Sequence, residues 1–131
     1  METHKNNIVA TATIFGNLPS LKNRRRLIPG KGKRKPMIIK SRDAMDYEQA
    51  FLMAIPKRMR VGYEGQVSVK VRVHYQSRRS DLSTELLFDL LQKSGIIKND
   101  NQIMHTEAWK GKDADNPRVH FTVSKWEEVH A

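Results

Sequence analysis

The chain is 131 residues long, room for one domain with one buried core but not two. A hydrophobic share of 38% argues against a disordered chain, no apolar run approaches a membrane span, and the absence of cysteine rules out disulfides and thiolate metal sites. The net charge of +10 is one-sided: residues 1–42 carry eleven Lys and Arg against one acid, while residues 43–131 carry thirteen of each sign. Such a concentration repels itself unless a polyanion neutralises it, and nucleic acid is the polyanion it points to. The plainer alternative is a solvated, solubilising run. Met1 to Asn7 lacks the apolar core of a signal peptide, which with the missing cysteine leads us to expect a cytosolic protein.

In chain order, residues 8–15 are rich in β-branched side chains and predict a strand. Gly16 to Pro36 reads as a long basic loop with Pro19, Pro29, Gly30, Gly32 and Pro36 as turn formers. A loop of that length in a small domain is usually functional or disordered. Residues 37–40 predict a short strand re-entering the fold. Ser41 is a candidate N-cap for a helix over Arg42–Ile55, with Ala44, Tyr47, Phe51 and Ala54 on one face and Pro56 ending it. From Gln66 to Tyr75 the pattern alternates: Val67, Val69, Val71, Val73 and Tyr75 on one face, Ser68, Lys70, Arg72 and His74 on the other. That is a half-buried strand. A second helix is expected over Leu82–Ser94, with a stripe of Leu82, Leu86, Leu87, Leu90 and Leu91 and Gly95 as its C-terminal stop. Two strands follow, roughly 102–109 and 118–126. The order β-loop-β-α-β-α-β-β predicts a single α+β domain over residues 1–131: one mixed β-sheet with two helices packed on it, and a basic loop at about 16–36.

Several chemistries are excluded by spacing. Pro29 to Lys33 lacks the P-loop spacing and its Ser/Thr. The five histidines show no paired metal spacing, and His74, His105 and His120 fall in strand patterns. The acids say more. Asp81, Glu85 and Asp89 recur every four residues, which on a helix stacks them on one face, and Asp100 follows shortly after. Hydrolysis of a phosphodiester by Mg²⁺ needs two or three hard oxygen ligands close together. Taken alone, this run is more simply an ordinary polar helix face. Arg78 and Arg79 directly precede Asp81, however, and cations that hold a phosphate beside acids that hold a metal make sense as a nuclease site.

At this point the sequence resembles the RusA-type Holliday-junction resolvases. That family carries an arginine-rich approach, an Asp-Leu-Asp-Asn motif, a helix with Asp-Ala-Leu, and Asp-Asp followed by Gln-Ile or Gln-Val. Here the matching stretches are Arg78-Arg79-Ser80-Asp81-Leu82, then Phe88-Asp89-Leu90-Leu91, then Asn99-Asp100-Asn101-Gln102-Ile103. Leu18 to Arg24 resembles the family's Pro-Ser-Asn-Arg loop, and Ser41 to Tyr47 its entry to the first helix. The ungapped match puts Arg79 in place of the first aspartate of the acidic motif and Glu85 in place of the helix lysine.

The resemblance implies an intertwined homodimer that cuts four-way DNA junctions with divalent metal, Mg²⁺ or Mn²⁺, in phage recombination and repair. It implies no membrane and no small-molecule cofactor, and a location in the bacterial cytoplasm for a phage or prophage product. Asp81, Glu85 and Asp100 would hold the metal, with Glu85 standing in for the missing ligand and Asp89 as an outer ligand or structural partner. Arg78 and Arg79 would grip the cut strand. Lys22, Arg24, Arg25, Arg26, Lys31, Lys33, Arg34 and Lys35 would hold the flanking arms through phosphates. The rival reading is a non-catalytic DNA- or RNA-binding protein that works through the basic 22–42 segment.

Overall fold

The alternating valines commit one face of a strand to the interior, and the rest of the chain assembles on that face. The computed structural model describes residues 7–19 and 25–127, with the backbone alone at Arg25 and Arg26. Its elements are β1 (Ile8–Phe15), β2 (Arg25–Ile28), β3 (Met37–Lys40), α1 (Arg42–Ala54), β4 (Val67–Tyr75), α2 (Glu85–Lys93), β5 (Ile103–Lys112) and β6 (Arg118–Lys125). Short 3₁₀ turns cover Lys57–Met59 and Asp100–Gln102. Four strands form one mixed sheet in the order β1-β6-β4-β5. β4 runs antiparallel to β6 and parallel to β5, and β1 runs antiparallel to β6. A parallel pair needs a long crossover, and α2 supplies it. The architecture is the expected α+β domain.

The inward residues of β4 are all buried. They meet Val119, Phe121 and Val123 of β6, Phe51 of α1 and the leucine stripe of α2 in one cluster. Phe51 and Phe121 stack with ring centroids 5.8 Å apart. Lys70 and Arg72 stay exposed on the other face, so the helices cover one side of the sheet. There the strand histidines are engaged locally. His105 Nδ1 lies 2.7 Å from Ser68 Oγ, and His120 Nδ1 lies 2.8 Å from Thr13 Oγ1.

The helix termini follow local chemistry. Ser41 Oγ accepts the Ala44 N–H at 3.2 Å, the cap expected from sequence. Gly95, at φ +83°, stands just past α2 in the left-handed region that ends helices. The start of α2 differs from expectation: it begins at Glu85, not Leu82. The Tyr75 hydroxyl donates to the Asp81 carbonyl at 3.0 Å and accepts the Ser83 N–H at 3.4 Å. Those contacts hold residues 81–83 in a non-helical path, so Asp81 is not part of the helix face that carries Glu85 and Asp89.

The expected basic loop is also partly structured. β2 pairs antiparallel with β3, Leu27 opposite Ile38 and Ile28 opposite Met37. The pairing was hidden because β2 is four residues long and opens with two arginines, which leaves no alternation to read. Lys22 and Arg24 lie outside the described residues.

α1, α2 and β3 are tied by charge. Glu48 accepts from Lys40 and from Lys93, the latter at 3.1 Å. Asp89 lies 3.8 Å from Lys40 and 3.7 Å from Lys93. The Lys40 hydrogen bond, with Lys93 assisting, holds the Glu48 carboxyl below the ordinary glutamate value of 4.5. A depressed carboxyl stabilises the fold above its unfolded pKa and loses that contribution as pH falls through the folded one. Glu48→Gln should therefore lower stability at pH 7 by about 1 kcal/mol, the scale of a partly exposed network. In urea melts, the gap to wild type should close as pH falls below that ordinary value. An equal gap at pH 7 and at pH 3 would show that the carboxylate charge is not what matters.

Candidate nucleic-acid interface and catalytic carboxylates

β4 ends at Tyr75, and the chain leaves the sheet through an exposed loop that carries Arg78, Arg79 and Asp81. Five contacts fix its path. Tyr75 holds Asp81 and Ser83 as described. The Gln76 N–H donates to Asn17 Oδ1 at 2.7 Å. The Arg79 N–H donates to Ser77 Oγ at 3.1 Å. Lys110 Nζ, near the end of β5, donates to the Arg78 carbonyl at 2.8 Å. The anchoring uses backbone atoms of the charged residues and leaves their side chains outward. Among the described residues, none of the three side chains has an ion-pair partner. Two uncommitted guanidinium groups beside a carboxylate form a place to receive a phosphodiester.

Glu85 opens α2, four residues after Asp81. Asp89, one turn on, pairs with Lys93 of its own helix and with Lys40 of β3, so it ties α2 to the β3 strand.

Asp100 lies elsewhere. It sits in the 3₁₀ turn that leads into β5, capped by Asn99, and its N–H donates to Gln92 Oε1 at 3.0 Å. One side chain organises this corner. Gln102 Nε2 donates to the carbonyls of Tyr63 and Gly65, both at 2.7 Å, and its Oε1 accepts the N–H groups of Lys98 and Asn99 at 2.9 and 2.7 Å. Sequence reading quoted Gln102 within a motif but gave it no role; its signal was its place three residues after Asn99, the spacing of a capping box.

The parallel pairing separates the acids. Asp81 follows the C-terminal end of β4, and Asp100 precedes the N-terminal end of β5. Eight steps of about 3.3 Å between its nine residues make β4 roughly 26 Å long. Ligands of one magnesium stand about 2 Å from it. A single chain thus keeps Asp81 with Glu85 at one end of α2 and Asp100 at the other. Among the described residues, no three His, Asp or Glu side chains gather to hold a metal ion.

The remaining cations are carried on the β2–β3 hairpin. Lys31, Lys33, Arg34 and Lys35 are exposed in its connecting turn. The Arg34 N–H donates to the Lys31 carbonyl at 3.0 Å, and Gly32 has φ +59°. At Gly30 a Cβ would fall 2.0 Å from the Arg34 carbonyl oxygen, so only glycine lets the turn close. Arg25 and Arg26 lie in β2 opposite Lys40 and Ile39.

An α+β domain with a cationic hairpin, and with two arginines and a carboxylate in the exposed loop after a parallel strand, has the charges expected of proteins that act on nucleic-acid backbones. The sequence model of endodeoxyribonuclease RusA matches residues 19–124, and the chain belongs to that family of Holliday-junction endodeoxyribonucleases. No curated protein matches the chain.

Two measurements probe this geometry. Gln102→Ala removes four hydrogen bonds and should cost about 2–3 kcal/mol in urea unfolding; a loss within error would mean that the corner is held by other contacts. Replacing Lys31, Lys33, Arg34 and Lys35 with Ala should flatten the slope of log K against log salt for DNA by roughly two to three units. An unchanged slope would remove the hairpin tip from the interface.

Proposed function

We propose that the chain is a homodimeric, structure-selective endodeoxyribonuclease that hydrolyses phosphodiester bonds at four-way DNA junctions. The observation that carries this is the Arg78–Asp81 loop. Its charged side chains are free while its backbone is pinned at the end of β4, in a chain of a family of junction nucleases. Arg78 and Arg79 hold the phosphate of the strand to be cut, and the hairpin cations hold the arms through neighbouring phosphates. Recombination and repair in a bacterial cytoplasm, for a phage or prophage product, is the setting that fits this substrate.

Two features support a dimer. β5 is an edge strand of ten residues with no buried side chain. An open edge of that length is a template for another chain. The β2–β3 ribbon exposes Leu27, Ile28, Met37 and Ile38, and a lone two-stranded ribbon is marginal in water. A second copy is the partner that makes two symmetric cuts.

The resemblance calls for a divalent ion, Mg²⁺ or Mn²⁺. The carboxylates of one chain do not fit that ion by themselves. In the dimer we propose, Asp81 and Glu85 of one copy are joined by Asp100 of the other. The same separation of acids favours a second reading, a DNA- or RNA-binding protein without catalysis.

A synthetic four-way junction distinguishes the two. Wild-type protein should cut it with Mg²⁺ or Mn²⁺, and chelation should stop cutting while binding persists. Asp81→Asn, Glu85→Gln and Asp100→Asn should each slow cleavage on the order of 10²-fold or more with binding intact. Asp81→Asn mixed with Asp100→Asn should regain single-strand nicking, because a heterodimer then contains one intact pair. A mixture as dead as its components would place both acids in one site of one chain. Binding without cutting under either metal would leave the binding reading. A monomer by light scattering, alone and with junction, would remove the dimer.

A further inference from the structure

A cavity of about 410 Å³ opens where the end of β1, the first half of α1 and the residues after β4 meet. It adjoins the Arg78–Asp81 loop, with Ser80 in its wall. Its lining is unusual for a protein that binds a polyanion. Asp43 and Asp46, one turn apart on α1, both line it. Asp46 also lies 4.0 Å from Arg42 in an exposed pair. Two carboxylates repel a phosphate, so the part of DNA that suits this cavity is an uncharged base.

The other lining groups fit a base as well. Phe15, 63% exposed, presents an open aromatic ring at the rim. Asn17 has its oxygen occupied by the Gln76 N–H, which leaves its amide nitrogen to donate. Tyr47 is 5% exposed, and among the described residues its buried hydroxyl has no hydrogen-bond partner. Burial, with Tyr75 beside it, raises the Tyr47 phenol well above the ordinary tyrosine value, so the group stays a donor. Buried polar atoms are nearly always paired, so an orphan on a side chain that lines the cavity points to a ligand atom. The site thus offers a stacking face, two donors and two carboxylate acceptors, within the size range of small-molecule sites.

We propose that this pocket receives one base unstacked at the branch point of a bound junction, and that it favours a base with an exocyclic amino group. The carboxylates accept from that amino group, and thymine has none to give. Unstacking costs least where pairing is already interrupted, and a branch point is such a place. The inference rests on the reading of the chain as a junction-binding protein.

The test uses metal-free four-way junctions with 2-aminopurine at each branch-point position in turn. With saturating wild-type protein, fluorescence should rise several-fold at one position and stay unchanged a few pairs away. The rise should be lost in Phe15→Ala and in the double variant Asp43→Asn, Asp46→Asn, while both still bind the junction. All three positions are on the surface of their elements. With natural bases, thymine at the responding position should weaken binding by roughly five- to a hundredfold, and the double variant should lose that discrimination. Intact junction binding with no brightening at any position would overturn the pocket and leave the nuclease reading standing. Brightening that both variants keep would overturn it equally. Failure of wild-type protein to bind the junction would overturn both.

Discussion

The parallel pairing of β4 with β5 determines where the acids Asp81 and Asp100 lie. Two parallel neighbours cannot be joined by a tight turn, so the chain must travel back along the sheet, and α2 is that return journey. Whatever follows β4 is therefore left at one end of the sheet, and whatever precedes β5 is left at the other. Asp81 and Asp100 stand nineteen residues apart in sequence and at opposite ends of the fold. Acids that look like one cluster on paper lie apart in one chain, and that separation is the physical reason for proposing that two copies of the chain would share them.

Each of the two corners, around Asp81 and around Asp100, is held by one polar side chain that spends its hydrogen bonds on backbone. Tyr75 is part of the core alternation by its ring and an anchor by its hydroxyl, which delays α2 and turns Asp81 off the helix. Gln102 is saturated by two carbonyls and two N–H groups, which leaves nothing for a ligand. Both act at backbone level, so the charged side chains nearby remain available to solvent and substrate. Buried polar groups of this kind are costly when only partly satisfied, which is why a single amide can govern a corner.

Much of this was legible in the sequence. The β4 alternation, the Ser41 cap, four of the five stripe leucines and the Gly95 stop each rest on local chemistry and stand in the structure, while Leu82 lies before α2 and is exposed. The family was legible from Arg78 to Ile103. What was not legible depended on distant contacts. The period of four shared by Asp81, Glu85 and Asp89 suggested one helix face, but Tyr75, six residues upstream of Asp81, decides where the helix begins. Asp89 was open to two roles, outer ligand or structural partner, and nothing local showed that Lys40 and Lys93 would stand beside it. The β2–β3 ribbon had no periodicity to betray it. The cavity beside α1 gathers Phe15, Asn17, Asp43, Asp46 and Tyr47 from two elements, and no local pattern announces such a gathering.

The turn at Gly30 carries a consequence for how DNA is met. A backbone carbonyl fills the space where any other residue would put its Cβ, so the tip closes one way and its four cations emerge from a fixed platform. A floppy basic tail must surrender conformational freedom for every phosphate it touches. A preset turn has given up most of that freedom during folding, and less is charged against the complex when it forms. In the proposed complex the tip would meet phosphates as a preset turn, registering them by their spacing along the strand.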